Sequence, residues 1–218
     1  MKLTVVIILG IIWYQIIAHI GISAGLHRYW THNSFKAGRI FEIISLYMAV
    51  LAGSLSPLGW AATHRMHHAT SDTEHDPHSP THKGFWRVLT STWSVPDIPK
   101  RFVKGLYKNP RMKFFHRHWL KVWFATAVLS FIVSPYFFLS FVLIPWILAR
   151  VGYGLGNAVT HDEKGAKDVP AMNVLMAGEG YHKQHHDGKR LRLHRFDTTG
   201  WLIEKAINLG IFQTKGSE

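Results

Sequence analysis

The sequence of 218 residues contains no cysteine. That absence excludes disulfides, thiolate metal sites, Cys-x-x-Cys redox pairs and cysteine nucleophiles, so any metal must be held by histidine, carboxylate or amide groups. Acidic residues are also scarce: 13 Asp and Glu stand against 25 Lys and Arg, a formal net charge of +12. An excess of that size suits nucleic acid, an anionic membrane surface or an acidic substrate, and its position along the chain decides among them. What the sequence has in abundance is apolar residues, 47% of the total, and histidine, of which there are 16. The length fits one domain, residues 1–218.

Residues Leu3 to Leu26 carry no formal charge over 24 positions, more than the ~20 that cross a bilayer as a helix. The run exceeds a usual signal-peptide core and no A-x-A cleavage site follows it, so it reads as a span. A second uncharged run, Val122 to Ala149, is too long for one comfortable span, and Ser134-Pro135 is its natural break. The stretch Ile43 to Thr63 is uncharged too, but Gly53, Pro57 and Gly59 interrupt it, which predicts a re-entrant or interfacial element.

The expected fold is therefore all-α and integral to a membrane. It has about three transmembrane helices, near 3–26, 117–134 and 135–157, plus the re-entrant or interfacial helix. A cytosolic helical cap is built from 27–116 and 158–218. Lys2 alone lies on the outer side, while 13 basic residues fall in the 27–118 loop and nine after residue 160. This asymmetry obeys the positive-inside rule, so the charge reports membrane orientation and nucleic acid is not an expected partner.

Four polar groups border these spans: HRYWTH (His27, His32), THRMHHATSDTEHDPH (His64, His67, His68), GNAVTH (Asn157, His161) and GEGYHKQHH (His182, His185, His186). In the two H-x-x-H-H runs, i, i+3, i+4 spacing puts three imidazoles on one helical face, and Asn157 and His161 share a face likewise. His27 and His32 are five apart, off-face for one regular helix, so a helix end or bend is expected between them. All four groups fall on the inner side only if 122–149 is a hairpin and 43–63 does not cross. His75 and His78 are expected to do structural or orienting work in a polar loop. His19, His82, His116, His118 and His194 are expected to be ordinary surface or core residues.

Nine histidines exceed the roughly four to six ligands of one ion, so two ions follow. An all-histidine dinuclear centre suits redox chemistry better than a structural or hydrolytic zinc site, and the Glu-x-x-His pairs of soluble di-iron bundles are missing. Asp72, Glu74, Asp76, Asp162, Glu163, Glu179 and Asp187 are candidates to orient the imidazoles from behind, with Asp76, Glu179 and Asp162 foremost.

The boxes and their continuations resemble those of the membrane fatty acyl desaturases of the stearoyl-CoA, delta-9 type, over roughly residues 20 to 205. The resemblance implies two iron ions held by His27, His32, His64, His67, His68, His161, His182, His185 and His186, with Asn157 reaching iron through water. It implies that O2 and two electrons convert a saturated acyl chain to a cis alkene, with no catalytic residue beyond the metal centre. The acyl partner is carried on CoA, a carrier protein or a lipid. The electron donor is a separate acidic protein such as ferredoxin or cytochrome b5, since no cytochrome b5 module is fused to either end. The active site faces the cytosol, in a bacterial inner membrane or the endoplasmic reticulum.

Three positions depart from the family pattern. Lys183 replaces an asparagine in the third box. Ala62-Thr63 stand where animal acyl-CoA enzymes carry Arg-Asp for the CoA headgroup. Only one span precedes the first box. Tyr14, Trp60, Trp123 and Tyr153 are candidates to line the acyl tunnel, although packing is their more ordinary role. The alternatives are a hydroxylase or other lipid oxidase on the same iron pair and, from another class, a multi-pass metal-binding or transport protein. Transport would place ligands at midplane rather than at one membrane edge.

Overall fold

A long first helix, α1 (Leu3–Thr31), changes its winding partway along. In the computed structural model, which describes residues 2–91, 97–188 and 190–215, it is α-helical from Leu3 to Ile17 and π-helical from Ala18 to Thr31. The wider turn is visible in bonds that reach back five residues: His32 N–H donates to His27 O (3.1 Å), and Thr31 Oγ1 donates to Leu26 O (2.7 Å). A short strand β1 (Phe35–Lys36) leads into α2 (Arg39–Leu51), which folds back along the π segment. The approach is so close that a Cβ on Gly21 would meet Met48 and one on Gly25 would meet Ser45.

Helix α2 buries Leu46 and Val50 and turns Ile40, Ile43 and Ile44 outward, the first of them 75% exposed. Apolar residues at i, i+3, i+4 on the outer face of an amphipathic helix suit an interfacial position. The stretch 43–63 does not form a single element, however. Gly53, at φ +76°, begins a turn that ends at Ser56, and α3 (Pro57–Thr70) follows. Ser56 Oγ accepts from Gly59 N–H at 3.0 Å and Pro57 occupies the first turn, two ordinary helix-start signals.

Three short helices, α4 (Pro80–Lys83), α5 (Phe85–Leu89) and α6 (Lys100–Val103), and a 3₁₀ turn lead to α7 (Pro110–Val133), capped by Asn109. Ser134 is extended, and α8 (Pro135–Val159) begins at the break expected from Ser134-Pro135. Helices α1 and α8 pack together through stacked Trp13 and Phe141 (4.8 Å between centroids), and Trp13 Nε1–H donates to Phe141 O. A two-residue hairpin, β2 (His161–Asp162) with β3 (Gly165–Ala166), ends α8. Helices α9 (Met172–Leu175), α10 (His182–His186) and α11 (Thr198–Asn208) follow, and β4 (Gln213–Thr214) pairs antiparallel with β1.

Helices α1 and α8 are long and apolar enough to cross a membrane. Helix α7 has 24 residues, but Arg111, Lys113, Arg117 and Lys121 confine its apolar run to Val122–Val133. Two of the three expected spans therefore meet the length and composition of a crossing helix. The outward apolar side chains of α1, α7 and α8, among them Ile8, Ile12, Phe124, Ile132 and Val151, form a larger greasy surface than a water-facing protein usually carries. The core formed by Tyr14, Ile17, Leu26, Leu46, Leu58 and Met112 locks α1, α2, α3 and α7 together, so that their histidine-bearing ends converge.

Candidate metal centre

The π winding brings the first box together. Five residues make little more than one π turn, so His27 and His32 stand on one face with ring centroids 4.9 Å apart. The end or bend expected between them is replaced by a wider helix, of the kind that recurs at functional sites. Arg65 fixes this end to α3, donating to the carbonyls of Trp30 (2.9 Å) and Thr31 (3.0 Å).

The two H-x-x-H-H runs lie on α3 and on the single turn of α10. Each divides two to one. His64 and His68 join His27, His32 and His185 in one group, while His182 and His186 join His67 and His161 in a second. Within each group the ligand atoms all lie within 4.8 Å of one another. All nine predicted histidines are thus brought together, in sets of five and four. Asn157, one turn before His161, lines a cavity beside His182.

Carboxylates stand behind three of the rings. Asp76 accepts from His67 Nδ1 at 2.9 Å and also from the backbone N–H of Asp72 and His78. Glu179 Oε2 lies 3.0 Å from His27 Nδ1. His161 Nδ1 donates to Asp72 Oδ1 at 2.8 Å. Asp162, expected in such a role, instead accepts from Lys164 N–H and pairs with Lys167, touching no histidine. Its backbone sits in the β2–β3 hairpin that fixes His161, and its side chain points to water.

A neutral imidazole that donates through Nδ1 leaves a lone pair on Nε2. The Nε2 atoms of His67 and His161 face those of His186 (3.2 Å) and His182 (2.9 Å). In the group of five, His185 Nε2 lies 2.8 Å from both His27 Nε2 and His68 Nε2. Two nitrogens bound at right angles to one ion, each ~2.1 Å away, lie about 3 Å apart, so these separations are those of a ligand shell. His32 Nε2 is buried without a hydrogen-bond partner among the described residues, which leaves its lone pair able to bind a metal. The donor set fits iron, which accepts imidazole nitrogen.

Burial, reinforced by neighbouring imidazoles, holds His64, His67, His182 and His185 well below the ordinary histidine value and pushes His186 down to about 3. Burial likewise pushes His78, stacked on His67 at 4.1 Å, down to about 4. Burial alone would raise the Glu179 carboxyl, but Arg28 and His27 outweigh it and hold the group at about 2.

These rings are neutral in the fold and protonate in the unfolded chain below pH ~6.5, so the unfolded state takes up more protons there. Stability present above pH ~6.5 is therefore lost as the pH falls below it. The metal-free protein should melt markedly lower at about pH 5.5 than at about pH 7.5, by more than the ~3 °C that 1 kcal/mol shifts a chain of this size. A flat melting temperature over that range in detergent would contradict the buried, neutral cluster.

The other histidines behave as ordinary residues. His19 bonds Gln15 O and Thr198 Oγ1, His116 bonds Ser56 Oγ, and His75 is exposed. One feature had no counterpart in the expected site: Arg28, fully buried, lies between Glu179 (2.9 Å) and Asp197 (2.8 Å). A cavity of about 330 Å³ adjoins the histidines and is lined by His27, His64, His182, Trp60, Tyr153 and Asn157 among others. Tyr14 and Trp123 instead pack in or against the core.

Residues 3–208 match the sequence profile of the fatty acid desaturase family. The chain is similar to the sn-1 stearoyl-lipid 9-desaturase of Anabaena variabilis, 31% identical over 197 residues that cover 81% of this chain and 70% of the relative. It is similar to the acyl-CoA Delta(11) desaturase of Spodoptera littoralis, 28% identical over 78% of this chain and 57% of that one. A third relative is the sn-2 palmitoyl-lipid 9-desaturase of Nostoc sp. (strain 36), 27% identical over 88% and 75%.

Proposed function

The chain belongs to the fatty acid desaturase family, an oxidoreductase by that membership, and we propose that it sets a cis double bond, at the ninth carbon, into a saturated acyl chain. The acyl chain plus O2, two electrons and two protons gives the alkene and two waters. The observation that carries this reading is the pair of buried histidine groups, five and four strong, beside a cavity. Two relatives that act on the ninth carbon by name, each on a lipid, support the position and an acyl-lipid substrate.

In this reading His27, His32, His64, His68 and His185 hold one iron. His67, His161, His182 and His186 hold the other, with Asn157 reaching it through water. Bound iron supplies the oxidising power that an unactivated methylene requires. The chain's own residues do the rest. Asp76, Asp72 and Glu179 fix the Nδ1 side of their imidazoles and so keep Nε2 turned inward. Ile22 and Trp60 make the cavity wall apolar, which keeps water from the reacting carbons and holds the chain extended beside the histidines.

The proposed topology has α1 and α8 crossing the membrane and the apolar half of α7 completing a hairpin with α8. All of 1–218 then forms one membrane domain with its site on the cytosolic side. The basic inner loops suit docking of an acidic electron carrier such as ferredoxin or cytochrome b5.

Expression in a host lacking its own desaturase, followed by fatty acid profiling, tests the reaction. A new monounsaturated acid with the bond at carbon nine is expected. Hydroxylated chains without alkene would turn the assignment to a hydroxylase.

A further inference from the structure

Helix α8 turns one polar stripe toward the cavity. Arg150, Tyr153 and Asn157 all line it, and spacing of i, i+3, i+7 places them on a single helical face. Arg150 sits at the Gly53–Ser56 turn: a Cβ on Gly53 would lie 3.3 Å from its Cδ, and Leu55 of that turn is half exposed where it lines the cavity. Asn157 is seven residues further along, about 10 Å of helix, on the side of His161 and His182.

The Tyr153 hydroxyl is buried with no hydrogen-bond partner among the described residues, and no ion pair of Arg150 is found among them. An unsatisfied buried hydroxyl costs roughly 1–3 kcal/mol, which a ligand accepting its proton would relieve. An arginine nine residues before the inner end of a span ordinarily reaches along the helix toward the headgroup layer as an anchor. That role does not explain why it shares a cavity wall with an unpaired phenol and with His64.

We propose that this stripe is a headgroup site for a glycerophospholipid. Arg150 pairs with the phosphate, Tyr153 donates to the ester carbonyl one turn on, and the acyl chain continues past Asn157 so that a mid-chain methylene reaches the histidines. The proposal rests on the desaturase reading. Residues three apart on a helix stand about 5–6 Å from each other. In a glycerophospholipid only the glycerol backbone separates phosphate from ester carbonyl, a distance of that order. In an acyl-CoA the whole pantetheine arm intervenes, and a galactolipid offers Arg150 no charge.

Iron-loaded wild-type, Arg150→Gln, Arg150→Lys and Tyr153→Phe proteins in neutral detergent, supplied with dissolved O2 and with reduced ferredoxin or cytochrome b5 as the source of two electrons, would be offered distearoyl-phosphatidylglycerol, distearoyl-monogalactosyldiacylglycerol and stearoyl-CoA. Native mass spectrometry reads the retained ligand, and gas chromatography reads the alkene. Wild type should retain the phospholipid about tenfold over the galactolipid. Arg150→Gln should erase that preference while leaving galactolipid retention and iron content unchanged, and Arg150→Lys should restore part of it. Tyr153→Phe should weaken both diacyl lipids. Preference for stearoyl-CoA or the galactolipid, or an Arg150→Gln loss equal for all three ligands, would overturn the proposal. Phospholipid retained through Arg150 with no alkene from any ligand would uphold the headgroup site and overturn the desaturase reading. Alkene formed from stearoyl-CoA regardless of Arg150 would do the reverse.

Discussion

His67→Ala is expected to abolish desaturation, lowering product by more than about a hundredfold, and to remove at least one iron per chain. His67 is the single α3 histidine of the group of four, fully buried, with Asp76 bonded to its Nδ1. Removing it leaves His161, His182 and His186 around a gap, and leaves the Asp76 carboxylate without the ring it orients. Asp76→Asn should be milder, within the 10–100-fold typical of partners that orient a ligand. Metal analysis of the purified variants and gas chromatography of the host's fatty acids read both effects. Unsaturated product at the wild-type level in His67→Ala would remove this residue from the ligand set.

Asp197→Ala is expected to destabilise the fold more than any exposed charge change. Its Oδ2 accepts from Arg28 Nη1 and Leu193 N–H, both at 2.8 Å, and its Oδ1 accepts from Arg28 Nη2 and from Gly200 N–H at the start of α11. Alanine would leave the guanidinium of Arg28, 0% exposed, with Glu179 as its one carboxylate among the described residues, beside the Leu191 carbonyl. Breaking a buried pair costs about 3–5 kcal/mol and losing a helix cap about 1 more, so the melting temperature should fall by roughly 10 °C or more. Asp162→Ala, which removes the exposed pair with Lys167 and the exposed bond from Lys164 N–H, should change it far less. Equal melting temperatures for the two variants in detergent would refute a structural role for the Arg28 network.

The clustering of the histidines was legible because imidazole spacing is written directly in the chain: H-x-x-H-H permits few arrangements other than one helical face. Their partition was not. Which ring of each triad faces which group depends on how α3 meets α10, a contact between segments more than a hundred residues apart. The five-residue spacing of His27 and His32 was itself the sign of a π turn, but the expectation of a regular helix turned it into a bend. Asp72 lies four residues past His68 and Asp162 directly follows His161, yet it is Asp72, with left-handed backbone (φ +61°), that reaches an imidazole, while Asp162 sits in the hairpin and does not. The Ser134-Pro135 break was legible because proline and a capping serine act locally. Partnership of Arg28 with Asp197 was hidden because nothing local in HRYWTH distinguishes a buried guanidinium from a surface one.

The two-to-one division of each triad has a consequence for how the centre assembles. Helices α3 and α10 each contribute to both groups, so neither group is a detachable module with its own scaffold. Ordering one group aligns the helix that carries ligands of the other, and the entropic cost of the second is already met when it forms. The pair is therefore built as an interlocking clasp, and in the proposed di-iron reading filling of one half would favour filling of the other.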